Sequence, residues 1–167
     1  MIYSLSDKEL LEYIVTKLQS VESISKRTID SNSTKERIVD TYFSTNLDLI
    51  DLNEELGDLP SLPIITVFID SESDENDNKL IFPTIQQKTN LIMQVTYPNF
   101  KRSNAYEDCK LFAEDIRDYI NSPDFQLDLD DRIDTLKAIQ IKRLGARNFK
   151  EKAILATYRI SFLVCRS

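Results

Sequence analysis

The residues of this chain that could do chemistry are carboxylates and cations, because histidine is absent and glycine occurs only at Gly57 and Gly145. Without histidine there is no commonest general base, no usual zinc site, and no Cys-His or Ser-His-Asp nucleophile arrangement. Phosphate-cradling loops need several glycines within a few residues, and these glycines stand far apart. Two carboxylate groupings remain. Asp70, Glu72 and Asp74 occupy positions 1, 3 and 5 of a calcium-loop pattern, the oxygen-rich set a hard cation wants. The pattern then fails at Glu75, where glycine makes the sharp turn, and at Ile81, where a bidentate glutamate belongs. A solvated hairpin loop over Ser71 to Asn78 is the expectation instead. Asp128, Asp130, Asp131 and Asp134 form the second grouping, with no histidine or glycine to organise it. It reads as a solvated loop, or as one that pairs with a basic patch on a neighbour. No catalytic residue, cofactor or metal is assigned.

The sharpest local feature is cationic. Arg143-Leu144-Gly145-Ala146-Arg147-Asn148-Phe149-Lys150-Glu151-Lys152 reads as a basic hairpin tip, with Gly145 supplying the positive φ of a turn. Arg143, Arg147, Phe149, Lys150 and Lys152 are the candidate interaction residues, with Phe149 as the anchor among cations. Two readings stay open. The cations guard the hairpin against edge-to-edge aggregation, or they meet an acidic partner surface, including the acidic loops of an identical neighbour. The chain as a whole has a net charge of −7, which disfavours general binding to nucleic acid. Its charge is uneven, however: Lys137, Lys142, Arg143, Arg147, Lys150, Lys152 and Arg159 have only Glu151 among them.

These side chains must be positioned by elements that periodicity predicts. Ser6-Asp7-Lys8-Glu9 is a capping box opening a helix that ends near Ser20, with Leu10, Leu11, Ile14, Val15 and Leu18 on one face. Residues 20 to 33 fit either a helix continuation or a strand-like arm. Ser33-Thr34-Lys35-Glu36 is a second capping-box match and predicts a short helix carrying Ile38, Val39, Tyr42 and Phe43. Another short helix is expected near Asp51, capped by Gly57. Ile64 to Asp70 is apolar on both faces, the mark of a central buried strand. Leu80 to Phe82 fits a short strand. Thr89 to Tyr97 alternates, with Leu91, Met93, Val95 and Tyr97 on one face, and Pro98-Asn99 stops it. Asn104 to Asn121 is an amphipathic helix with Ala105, Cys109, Phe112, Ala113, Ile116 and Ile120 toward the core. Pro123 ends it, and Asp124 to Asp134 is a loop. Two long strands, Thr135 to Leu144 and Ala153 to Val164, close the chain with period two.

That order predicts an α+β fold: a mostly antiparallel sheet of four to five strands, packed by the N-terminal helix and the 104–121 helix, with a long C-terminal hairpin. The 167 residues fit a single domain, with 21–57 as an inserted or appended segment. Hydrophobic residues at 41% and charged residues at 29% allow one modest core and argue against a membrane protein. The longest nearly apolar run, Leu62 to Ile69, falls far short of the ~20 residues that cross a bilayer. The first residues lack a signal-peptide pattern, so the chain is expected in the cytoplasm where it is made, or in a larger assembly that leaves it. Cys109 and Cys165 give no disulfide framework and read as small hydrophobes.

One resemblance adds to this reading. An N-terminal helix leads to Leu62-Pro63-Ile64-Ile65-Thr66-Val67-Phe68, then to a strand ending Met93-Gln94-Val95-Thr96-Tyr97. A helix follows, from Ala105-Tyr106-Glu107-Asp108-Cys109 to Ile116-Arg117-Asp118-Tyr119-Ile120. The strands Lys137 to Arg143 and Leu155 to Phe162 come last. This layout is similar to the tail terminator (tail completion, minor tail) proteins of tailed bacteriophages, over residues 1–20 and 60–167. Residues 21–57 have no counterpart in it. The resemblance implies a virion structural protein, not an enzyme: a hexameric ring in the tail or neck, assembled in the bacterial cytoplasm. The ring caps the tail tube, receives the head-completion proteins, and lets DNA pass through its lumen without specific binding. An acidic lumen would keep DNA from sticking, and the closing hairpin would make the contacts between subunits and with the tube. From the residues alone, a small adaptor module with an exposed sheet edge is the alternative. An enzyme built on carboxylates with a lysine or a metal is the least favoured reading.

Overall fold

A computed structural model describes residues 5–30, 36–45, 62–73, 87–99, 105–149 and 153–166. Helix α1 (Asp7–Gln19) starts where expected. Ser6 Oγ accepts the Glu9 amide at 3.2 Å and donates to the Glu9 carboxylate at 2.9 Å. Leu10, Ile14 and Leu18 are buried, while Leu11 and Val15 pack at the edge of the same core. The stretch after it takes both of the forms left open by its sequence. A one-turn helix α2 (Glu22–Ser25) leads directly into strand β1 (Lys26–Asp30).

The short helix expected after Ser33-Thr34-Lys35-Glu36 does not form. Glu36–Asp40 is strand β2, antiparallel to β1 with Thr28 opposite Ile38, and Tyr42–Ser44 is strand β3. The capping-box match is local, whereas Ile38 and Val39 are β-branched residues that a cross-strand partner favours. Arg27 fastens this ribbon to the body. Its Nη1 meets Asp115 at 2.8 Å and the Ser23 carbonyl at 3.1 Å, and its guanidinium lies 4.7 Å from the Phe112 ring centroid. The Tyr97 hydroxyl donates to the Thr28 carbonyl at 2.6 Å.

The main sheet has five strands in the order β3-β4-β5-β7-β6. Strand β4 is Ile64–Ser73, β5 is Gln87–Asn99, β6 is Ile133–Phe149 and β7 is Ala153–Arg166. All neighbours are antiparallel except β3, which lies parallel to β4 over Ile64–Thr66. The fold is therefore α+β with a mostly antiparallel sheet and a closing β6–β7 hairpin. Burial of Ile64, Ile65, Thr66 and Val67 on both faces fits the central strand expected there. Strand β5 continues through Pro98 and Asn99, opposite Leu155 and Ile154, rather than stopping before them. Strand β4 likewise extends through Ser73, so Ser71 begins no loop; Asp74 to Asn78 lie outside the described residues. The helix expected near Asp51 and the strand expected at Leu80 to Phe82 also fall outside them.

Helix α3 (Ala105–Ile120) crosses β5, β6 and β7 on one face, burying Cys109, Phe112, Ala113, Ile116 and Ile120. Each such apolar side chain contributes about 1.5–3 kcal/mol of burial for its larger members. Opposite them lie Leu91, Met93 and Val95 of β5 and Ala156, Tyr158, Ile160, Phe162 and Val164 of β7, the alternating sets of the two strands. Pro123 does not simply end α3. It sits at the first position of a further short helix, α4 (Pro123–Leu127), whose Ser122 Oγ accepts the Phe125 amide at 3.3 Å. Arg166, only 1% exposed, clips the last strand to the first helix. It reaches Asp7 at 2.7 Å, Thr89 Oγ1 at 2.7 Å and the Leu5 carbonyl at 3.0 Å. Among the described residues, no helix is long and apolar enough to cross a membrane.

Candidate functional site

Among the described residues strand β6 is an outer edge of the sheet, and it runs for 17 residues, about 56 Å at ~3.3 Å per residue. Its ladder with β7 slips at three places: between Ile133 and Thr135, Ala138 and Gln140, and Arg143 and Gly145. Asp134, Ile139 and Leu144 are thus the extra residues that the register with β7 skips, one every five positions. This changes what the sequence pattern means. Strict alternation would send Lys137, Lys142 and Arg147, spaced by five, to opposite faces in turn. With one extra residue in each interval, they stand opposite Leu163, Arg159 and Leu155, which are four apart on β7 and share one face.

That face is the one away from α3. Its partner face carries Leu136, Ala138 and Ile141 against the core. The outward face holds Lys137, Gln140 and Lys142 from β6, then Thr157, Arg159, Ser161 and Leu163 from β7, then Asn90, Gln94 and Thr96 from β5. Thr96 Oγ1 and Thr157 Oγ1 are 3.2 Å apart across the strands, which fixes them on the same side. Strands β5, β6 and β7 carry seven cations and one carboxylate, the bulged Asp134. Ile64, Ile92 and Leu155 are buried on this face outside the principal core, with Ile92 between Gln94 and Asn90, and the face is exposed along β6 at Lys137, Gln140 and Lys142.

The candidate residues distribute differently from the hairpin tip expected of them. Gly145 does not make the turn. It lies within β6 beside the third bulge, with φ of 151°, a region that disfavours any side chain. The strand continues to Phe149, so Arg143 and Arg147 are strand residues rather than tip residues. Arg143 belongs to the helix side, its guanidinium 4.4 Å from the Tyr106 ring centroid in the first turn of α3. Arg147 and Phe149 take register positions opposite Leu155 and Ala153. Lys150 and Lys152 lie outside the described residues. Sequence reasoning noted Lys137, Lys142 and Arg159 as hairpin cations but did not group them on one face. Apart from Gly145 beside the third, the bulges that group them leave no mark in residue type. Ile139 and Leu144 project from the edge, 64% and 42% exposed.

The second acidic grouping is largely spoken for within the molecule. Lys17 Nζ contacts Asp128 at 2.6 Å, and the Arg132 guanidinium donates to Asp130 at 3.0 Å and to Glu9 at 3.2 Å. The hydrogen bond from Arg132 holds the Asp130 carboxyl below its ordinary range. A bond from Ser6, then one from Arg132, does the same for Glu9. Tyr13 Oη accepts the Asp130 amide at 3.2 Å and donates to the Asp128 carbonyl at 3.3 Å, while partial burial raises its pKa. These groups line an open groove of about 560 Å³ in which each polar atom named is already engaged, an arrangement suited to holding α1 against the loop. Cys109 is buried against the Val95 carbonyl at 3.4 Å, and burial pushes its thiol up to about 12, far from a nucleophile's range. Among the described residues no group of three metal-ligating side chains converges.

The arrangement is therefore a surface rather than a pocket: a long cationic edge strand, bulged at intervals, with two apolar side chains standing out of it. Set against known proteins, the chain matches no family model, and no curated protein is similar to it.

Proposed function

We propose that this chain is a structural assembly protein of the tailed-phage type, a tail terminator, tail completion or neck component that acts without catalysis. In this reading copies close into a hexameric ring that caps the tail tube, meets the head-completion proteins and lets DNA through, in particles assembled in the bacterial cytoplasm. The observation that carries it is the exposure of β6: 17 residues of outer strand with Ile139 and Leu144 turned to solvent. Exposed edges and isolated apolar side chains are what partner chains engage. The element order of the C-terminal part, strand, strand, helix, strand, strand, with the short α4 added after the long helix, supports the resemblance. Electrostatics favour a head-to-tail contact. Residues 135–149 hold four cations and no carboxylate, so the rest of a chain of net charge −7 carries −11. A cationic edge facing an otherwise acidic copy makes a heterologous interface, the kind that closes rings.

Light scattering after size exclusion tests this. A hexamer, seen as rings in negative stain, is expected alone or on addition of tail-tube protein. The double reversal R147E/K150E should shift the distribution toward monomer. A strict monomer under both conditions, or an oligomer whose mass ignores the reversal, overturns the reading.

A further inference from the structure

The outward face of the β5–β7–β6 layer has properties that a contact between copies does not call for. Lys137 and Lys142 are exposed on it, and Arg159 stands directly opposite Lys142. The Arg159 Nε is buried and has no hydrogen-bond partner, as does the hydroxyl of Thr66 at the far end of the same row, Thr66–Gln94–Arg159–Lys142. The Nε atoms of Arg27 and Arg166 are unpartnered too, but those guanidiniums pair with Asp115 and Asp7, whereas Arg159 has no carboxylate beside it on β5, β6 or β7. The side chains between the cations are hydroxyls and amides: Gln94, Thr157, Ser161 and Gln140. Apart from the bulged Asp134, strands β5, β6 and β7 place no carboxylate anywhere near them.

We propose that this face binds the phosphate backbone of duplex nucleic acid. A protein partner fits it less well. Cores of protein interfaces are depleted in lysine and rich in aromatic anchors, whereas the residues next to Lys137, Lys142 and Arg159 on this face are Gln94, Gln140, Thr157, Ser161 and Leu163, with no ring among them; Phe68 on β4 and Phe149 at the end of β6 take register positions farther off. Rings set apart from the cations do not give the row of stacking platforms that single strands need. Lysine, arginine, serine, threonine and glutamine are the side chains that contact phosphates and sugars without reading sequence. Lys137 and Lys142 face Leu163 and Arg159, four residues apart on β7 and so about 13 Å along the strand. Cations spread over that distance suit an extended polyanion better than one carboxylate. The net charge of −7 repels nucleic acid from the remaining surface and so confines contact to this face. Lys137 and Lys142 also count toward the cationic edge of the assembly reading, but duplex binding and oligomer mass are read separately, so failure here leaves that reading standing.

The test is fluorescence anisotropy of the full chain with a labelled duplex of mixed sequence, over a series of salt concentrations. Binding at low salt is expected, with log K falling against log salt at a slope of about −2.7, three phosphates at ~0.9 each. K142Q should shallow the slope by about one and weaken binding for every sequence alike. K137Q/K142Q/R159Q should abolish it, while K110Q, on the outer side of α3, leaves it unchanged. The unpartnered Arg159 Nε adds a separate readout: R159Q should not lower the urea midpoint, as it would if Arg159 served the fold. No binding at low salt, an affinity indifferent to the triple substitution, or polyglutamate competing as well as the duplex would each overturn the proposal.

Discussion

At the scale of single residues, charged side chains here mostly secure the chain to itself. Arg132 joins the loop after α4 to the first turn of α1, and Arg27 and Arg166 join strands to helices in the same way. The Arg132 contacts have a pH signature. Glu9 and Asp130 have folded-state pKa values below their ordinary 4.5 and 3.8. A depressed carboxyl lends stability above its unfolded pKa and loses it as pH falls through the folded value. Substituting R132A releases Asp130 and part of the hold on Glu9, which keeps its bond from Ser6. The variant's deficit in urea midpoint should therefore be largest above about pH 5 and close as both proteins are acidified. A deficit that stays constant across the acid range would mean that Arg132 acts through packing alone.

Among elements, the contrast lies between those that obey one period and those that change it. Helices α1 and α3 bury side chains at the spacing their sequences display, and β5 and β7 alternate without interruption, so all four were legible. Strands β1 to β3 were not. Ser33-Thr34-Lys35-Glu36 satisfies a helix-capping rule, but Ile38 and Val39 find cross-strand partners in Thr28 and Arg27, a pairing no local rule contains. The outer half of β6 was misread for a related reason. Gly145 is a turn residue by type, yet here it serves a bulge at φ 151°. The candidate cations were thus recognised as a group, but neither their sides nor their true company could be assigned without the register. The bulge sets a prediction at this scale. G145V forces a branched side chain into a conformation that only glycine adopts readily, at a cost of about 1–3 kcal/mol. No atom lies within 4 Å of the missing Cβ, so backbone strain alone is responsible, and G145A should cost nearly as much in chemical denaturation.

For the molecule as a whole, the sheet separates two tasks. Its helix-covered face carries the principal core, while its other face and its β6 edge carry the unbalanced charge and the exposed Ile139 and Leu144. The exposed cations thereby lie on the side of the layer away from the principal core, so substitutions at Lys137, Lys142 or Arg159 should leave the fold intact. The extra residues of β6 carry this separation furthest. Because Gln140 already faces Ser161 and Gly145 already faces Thr157, Ile139 and Leu144 are spare links. A chain shortened by both should keep every remaining pair and every side. What it gives up is irregularity along the rim, and a straight, hydrogen-bond-hungry border of this length invites stacking into fibres. Thioflavin fluorescence and sedimentation of the shortened chain should rise while its far-ultraviolet spectrum stays that of the parent; a soluble, unaggregated product would mean that lysine and arginine guard the border unaided.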